Sequence, residues 1–461
     1  MSAWEKDWKI WKFFVRNGMW RDCGDMKTNP SPTGSIHIIS LGCAKNLVDS
    51  EILSGGLQHA SVPLVKDPQQ ADTIVINTCG FLDQAREESV DVILEAIEWK
   101  KQGRIQTLVV MGCLSERYPN QLKEELPEVD YFFGTTDHRD ILTLLTGKDH
   151  SRADPVFYRS LLTPSHYAYV KIAEGCDNGC SFCSIPLMRG KQISRPVATV
   201  VDEVIRLQDQ GVREFILIAQ DTTSYGWDLP DRLYLNDLLD ALGEAIMPQN
   251  WLRLHYAHPA HLSHAIIDAM ARNPVLVPYL DMPVQHASDR MLKSMRRGLD
   301  RSGIQRRIDL LRSVIPQIRL RTTLIVGYPG ETEDDFRQLY RFVEETEFDR
   351  LGVFTYSEEE GTFAADLPDD VPPEVKEERK AMILDLQNEI AYQKNQELIG
   401  QEIPVIVDRT SSSTAVGRTP YDSPEIDQIV RINSPQPVGI ILPLRITEAD
   451  SYELTGIPLE S

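Results

Sequence analysis

The chain reads as an α/β protein of three parts. These are an N-terminal open parallel α/β domain, a central partial (β/α)6 barrel and a small C-terminal all-β, OB-like barrel. Three observations predict this. From Ser35 onward, short runs rich in Ile and Val alternate with helical stretches, the pattern of buried parallel strands and their crossovers. Six more strand–helix units follow between residues 162 and 392. After Gln401 the texture changes to short alternating strands separated by Gly, Pro, Ser and Asp.

Composition agrees with a multidomain globular chain. Its 461 residues exceed one ordinary core, and 42% hydrophobic with 25% charged residues is globular usage. No run approaches the roughly 18 apolar residues that cross a bilayer, and the start lacks a secretory h-region. The expectation is a cytoplasmic protein with no membrane contact. A formal charge of −21 argues against broad nucleic-acid binding and favours a basic partner. Seven cysteines in such a chain read as metal ligands or reactive thiols sooner than as disulfides.

Residues 1–34 form an extension. Trp4, Trp8 and Trp11 fall on one helical face among Lys6, Lys9, Lys12 and Arg16. An interfacial helix and a merely variable extension both fit. Cys23 has no partner in spacing and reads as a free thiol.

The first domain, 35–147, has strands expected at Ser35–Leu41, Asp72–Asn77, Ile105–Met111 and Asp130–Phe133. Helices are expected at Asn46–Leu57, Asp83–Lys101 and from His138 to Leu145. Cys43, Cys79 and Cys113 each follow one of the first three strands. In an open parallel sheet the carboxyl ends of the strands line the ligand crevice, so the three thiols converge there. Three buried structural cysteines are the plainer alternative.

The barrel, 162–392, has strands expected at His166–Ile172, Glu214–Ala219, Leu252–Tyr256, Tyr279–Val284, Ile318–Val326 and Leu351–Tyr356. Cys176, Cys180 and Cys183 leave its first strand in one tight loop. Thiolates at that spacing can reach three corners of an iron–sulfur cube and leave the fourth open. A zinc knuckle is the competitor, but no His or fourth Cys follows within twenty residues of Cys183. Such barrels place chemistry at the carboxyl ends of their strands. Gln220, Asp221, Gln285 and the turn Gly327, Pro329, Gly330, Glu331 leave later strands there and form a polar ring. Arg189 and Arg195 suit carboxylate or phosphate groups, or surface salt bridges. A charged helix, Pro372–Gly400, leads out to residues 393–461. That last module reads as an open five-stranded barrel. Its residues 401–461 carry nine Asp/Glu against four Arg and no Lys, which suits a basic protein surface better than phosphates.

Assembled in this order, residues 35–461 resemble the radical S-adenosylmethionine methylthiotransferases. The resemblance is carried by Cys176-x3-Cys180-x2-Cys183, by Cys43, Cys79 and Cys113, and by the domain order ending in a TRAM module. The branch that modifies small-subunit ribosomal protein S-twelve is the nearer one. Ser40–Glu51, Gln220–Asp228, Tyr356–Gly361 and Gly417–Ile426 are similar to it, although Ala44 departs from the Pro expected there. The tRNA-modifying branch is expected to carry Gln and Met at 44 and 45.

The resemblance implies two 4Fe-4S clusters and S-adenosylmethionine, with one cluster on each cysteine triad. It implies transfer of a methylthio group to the β-carbon of an aspartate in the ribosomal protein. It further implies a monomer served by an electron donor such as flavodoxin or ferredoxin. A tRNA adenosine methylthiotransferase is the nearest alternative, with a two-cluster electron-transfer protein and a zinc-bound scaffold behind it.

Overall fold

The computed structural model describes residues 34–150 and 158–459. The tryptophan-bearing extension, Cys23 and part of the link after Gly147 lie outside them. No helix among the described residues is long and apolar enough to cross a membrane.

The first sheet runs β1 (Ile36–Ser40), β2 (Thr73–Thr78), β3 (Thr107–Gly112) and β4 (Tyr131–Phe132), all parallel and in chain order. Helices α1 (Ala44–His59), α2 (Asp83–Lys101), α3 (Cys113–Arg117), α4 (Pro119–Glu125) and α5 (His138–Thr146) connect and cover it. Helix α1 has no clear apolar stripe because it is buried on two sides. Leu53 and Leu57 face its own sheet. Val48 and Ile52 pack instead on Tyr167, Tyr169, Ile216 and Ile218 of the second domain.

Those residues belong to β5 (Tyr167–Lys171) and β8 (Glu214–Ile218), the first two strands of the barrel. A two-residue ladder of β6 (Ala173–Glu174) and β7 (Ile193–Ser194) closes the long loop between them. That loop also holds a short helix, α6 (Ile185–Arg189). The remaining strands are β9 (Trp251–Leu254), β10 (Leu276–Asp281), β11 (Arg319–Val326) and β12 (Arg350–Thr355). All six pair in parallel in the order β12-β11-β10-β9-β8-β5, and the two edges do not meet. The barrel is therefore partial, and α1 of the first domain packs against its inner face. The outer apolar faces of the strands pack under the intervening helices α7 (Val197–Asp209), α8 (Leu235–Ala245), α9 (His264–Arg272), α10 (Asp289–Ser294), α11 (Arg301–Val314) and α12 (Glu333–Thr346), the largest core of the molecule.

Helix α13 (Pro373–Gln396) leads to strands β13 (Glu402–Thr410), β14 (Ala415–Arg418), β15 (Ile429–Ile432), β16 (Ile441–Ala449) and β17 (Glu453–Pro458). This barrel is closed, where the sequence suggests an open one. β17 pairs with β16 on one side and in parallel with β15 on the other, so no edge remains.

Part of the acidic excess of this module is turned into the barrel, while Glu402, Glu425, Glu448 and Asp450 stay exposed. The segment between β14 and β15 enters the amino-terminal end of the large barrel. There Arg350 Nη2 donates to Asp422 Oδ1 at 2.6 Å, and the Tyr279 hydroxyl donates to Asp427 Oδ2 at 2.8 Å. Arg418 reaches Glu214 Oε2 at 2.7 Å, and Asp408 meets His166 Nε2 at 2.8 Å. Three of the module's acids thus fasten it to the barrel.

Candidate functional site

Cys176, Cys180 and Cys183 lie in the loop after β6, at the carboxyl end of the barrel. Gly175 opens the loop at φ +77°, and a Cβ there would lie 2.1 Å from the Lys191 carbonyl oxygen. Only glycine satisfies both the left-handed backbone and that close approach. Ser181 pins the loop, its Oγ 2.9 Å from the Tyr328 hydroxyl and its N–H donating to Met295 O. Burial pushes the Cys176 thiol up to about 11 and Cys183 up to about 12. Left alone they stay protonated; metal binding has to remove those protons. Arg297 Nη1 donates to Cys180 Sγ at 3.2 Å, a cation placed to offset the resulting charge.

The second triad sits at the carboxyl ends of three adjacent strands. Cys43 caps the start of α1, Cys79 follows β2, and Cys113 begins α3 directly after β3. Glycines bring these loops together. A Cβ on Gly42, at φ +86°, would lie 2.7 Å from Cys79 Cβ, and one on Gly80 would lie 2.9 Å from the Cys113 carbonyl. Ser89 Oγ holds Cys79 by both its N–H and its carbonyl. Burial pushes Cys113 up to about 11, with Arg189 pulling the other way.

Arg189 ends α6 next to the first triad and reaches into the second. Its Nε donates to Cys113 Sγ at 3.3 Å, and its Nη1 donates to Asp49 at 2.8 Å and Glu174 at 3.0 Å. Its remaining nitrogen binds Asn46. Neither Arg189 nor Arg195 makes a surface salt bridge: Arg189 is buried, and Arg195 binds the buried Glu203 at 2.5 Å. Arg86 and Arg117 both bind Glu359 of the barrel, at 2.8 and 2.6 Å, completing the clamp between the two domains.

The donor sets fit iron–sulfur cubes better than zinc. Four thiolates about 2.3 Å from one zinc ion would stand less than about 4 Å apart. Among the described residues, one group of three candidate ligands lies within 4.8 Å of one another: Asp221, His258 and His261. Neither cysteine triad is that tight.

The polar ring divides in two. Asp221 is buried beside the cysteine loop, its Oδ2 accepting from Asn178 Nδ2 at 2.9 Å and from His261 at 2.7 Å. Burial pushes its carboxyl up, but His261 and Thr223 outweigh that and hold it well below the usual range. Gln220 Nε2 donates to Glu174 at 2.8 Å. The Gln220 and Gln285 amide oxygens and His258 Nε2 are buried without protein partners, as expected where a polar ligand binds. Gln285 also holds a left-handed φ of +71°.

Gly327 and Glu331 face α13 instead. Glu331 Oε2 accepts the Gly327 N–H at 2.9 Å and its Oε1 accepts Arg379 at 2.7 Å, so the carboxylate is engaged. Pro329 is buried, and Gly330 donates its N–H to Asp370 at 2.7 Å. Sequence reasoning missed Arg297, Asn178, His258 and His261. Their partners lie too far along the chain for any local pattern to expose.

A parallel-stranded partial barrel with three cysteines at its mouth defines a radical S-adenosylmethionine enzyme. Residues 170–343 match the Radical SAM superfamily, residues 35–134 the uncharacterized protein family UPF0004, and residues 399–458 the TRAM domain. The chain belongs to the ribosomal protein uS12 methylthiotransferase family. It is 48% identical to the family member RimO of Chloroherpeton thalassium over 91% of this chain and 98% of that one. It is 45% identical to RimO of Flavobacterium psychrophilum over 94% of this chain and all of that one. Among solved structures, the methyltransferase TsrM from Kitasatospora setae shares the fold. The TM-score is 0.52 at 15% identity, covering 70% of this chain and 75% of that one.

Proposed function

We propose that the protein adds a methylthio group to the β-carbon of an aspartate in ribosomal protein uS12. The observation that carries this is the pairing of two cysteine triads from different domains, joined through Arg189. Cys176, Cys180 and Cys183 would hold one 4Fe-4S cluster with an open iron, and Cys43, Cys79 and Cys113 the other. When bound, these clusters and S-adenosylmethionine supply a one-electron carbon–sulfur cleavage, abstraction of hydrogen from an unactivated carbon, and the sulfur transferred.

The chain's own residues bind and orient these groups. Gln220 and Gln285 offer free amide oxygens to the polar groups of S-adenosylmethionine, and Asp221 braces the cysteine loop beside them through Asn178. Pro329 and Gly330 shape the exit of β11, while Gly327 and Glu331 brace it through Arg379. Arg189 and Arg297 offset thiolate charge. Helix α1, packed against the inner strands, fixes the position of the Cys43 loop relative to the barrel.

The chain divides by this proposal into 1–34, 35–147, 162–392 and 393–461. A monomer in the cytoplasm, reduced by a flavodoxin or ferredoxin, completes it. The test is mass spectrometry of uS12 and of tRNA from cells lacking the chain. The expected result is loss of an adduct of about 46 Da from uS12 alone. Loss from tRNA, or from neither, overturns the proposal.

A further inference from the structure

The cations at the junction of the two cysteine domains are nearly all committed. Lys171 and Arg189 share Asp49 and Glu174. Arg159 joins Glu51 to Glu203, Arg86 and Arg117 meet Glu359, and Arg297 serves Cys180. Lys45 differs. It lies in the first turn of α1, two residues after Cys43, and has no carboxylate partner among the described residues. Its Nζ stands 3.2 Å from the centroid of the Tyr256 ring.

The protein maintains this arrangement at a cost. A lysine at a helix amino terminus faces the positive end of the dipole and opposes it. Tyr256 holds φ +59°, a left-handed conformation that is unfavourable for a bulky side chain. The strain is fixed from both sides. Thr222 N–H donates to Tyr256 O at 3.1 Å, and Tyr256 N–H donates to Asp281 Oδ2 at 3.3 Å. Gln285, leaving the next strand, is left-handed as well. An anion bound at Lys45 would relieve both the unpaired cation and its clash with the helix dipole.

We propose that Lys45, on its Tyr256 platform, binds the side-chain carboxylate of the substrate aspartate and fixes which carbon meets the auxiliary triad. The proposal rests on the methylthiotransferase function. Lys45 follows Cys43 by two residues, and its ammonium lies over Tyr256 just past the carboxyl end of β9, so a carboxylate held there sits where the first-domain cysteine loop meets the barrel mouth. The β-carbon is the atom next to that carboxylate. Lys45 is thus a specificity-determining residue, and it recognises an acid side chain on a polypeptide rather than a nucleobase.

The experiment uses full-length enzyme loaded to matched iron content, with a synthetic uS12 peptide carrying Asp or Asn at the target position. Peptide affinity and methylthio product are read for wild type, Lys45→Met and Lys45→Arg. Wild type is expected to favour the Asp peptide, and Lys45→Met to bind it about 10- to 100-fold more weakly. Lys45→Met should lose the preference over Asn, while Lys45→Arg should keep most of it. Lys45→Met retaining the wild-type preference overturns the assignment alone. Wild type that leaves the Asp peptide unmodified overturns the methylthiotransferase function, and the assignment with it.

Discussion

Arg189 Nε donates to Cys113 Sγ at 3.3 Å, so one guanidinium joins the cysteine loop of the barrel to the triad of the first domain. The same group satisfies Asp49 and Glu174, both of which also bind Lys171. Two cations and two acids alternate across the junction. Geometry between the triads is therefore set by a buried ionic lattice rather than by apolar packing alone.

Replacing Arg189 with Met removes one cation from that lattice and leaves Asp49 short of charge. Loss of one partner of a buried pair costs on the order of 3 kcal/mol, moderated here because Lys171 remains. The first domain should lose its cluster more readily than the barrel does. Iron and sulfide analysis of the anaerobically purified variant is expected to show about half the wild-type iron. Full iron content would show that Arg189 does not support Cys113.

The two triads should separate in their effects. Cys180→Ala is expected to abolish reductive cleavage of S-adenosylmethionine, read as 5′-deoxyadenosine. Cys79→Ala is expected to spare that cleavage and stop methylthio transfer, read by mass on the peptide. Undiminished deoxyadenosine from Cys180→Ala, or normal product from Cys79→Ala, would contradict the division of labour between them.

Much of this was legible in sequence. The strand runs are short and rich in Ile and Val, so their positions, and those of the cysteines at their ends, follow from local pattern. What was not legible depends on topology. Glu359 serves Arg86 and Arg117 from more than two hundred residues away, and Arg297 reaches Cys180 across 117. No local pattern assigns such partners. Strand β17, Glu-Leu-Thr-Gly-Ile-Pro, closes the small barrel but carries Gly and Pro, which weaken a strand signal. Charge counts in the C-terminal module also do not reveal that two of its acids, Asp422 and Asp427, point inward.

Gly80 tests the closeness of the two loops in the first domain. Its φ is not left-handed, so alanine there introduces no backbone strain. The new methyl would meet Cys113 C and O and Leu114 Cα, each at 2.9 Å. Gly80→Ala should push the Cys79 and Cys113 loops apart, costing about 1–3 kcal/mol and loosening the auxiliary cluster. Iron content should fall while deoxyadenosine formation persists. Unchanged iron would mean that the loops yield without disturbing the thiols.

The junction between the C-terminal module and the barrel should be acid-labile. Burial pushes the Glu214 carboxyl up, but Arg418 and Arg253 outweigh it and hold it below the ordinary value. Burial likewise pushes Asp408 up, and His166 and Arg418 hold it down. Both groups have folded-state pKa values depressed below their unfolded values, about 4.3 for Glu and 3.9 for Asp. Their stabilisation is therefore complete above those values and lost as pH falls through the folded ones. Below about pH 4 the module should begin to release, seen as limited proteolysis near α13 by an acid-active protease. Arg418→Met leaves Glu214 with Arg253 alone and removes one of the two partners of Asp408, so its release should start at higher pH than in wild type. Equal acid sensitivity in the two proteins would show that this network does not hold the module in place.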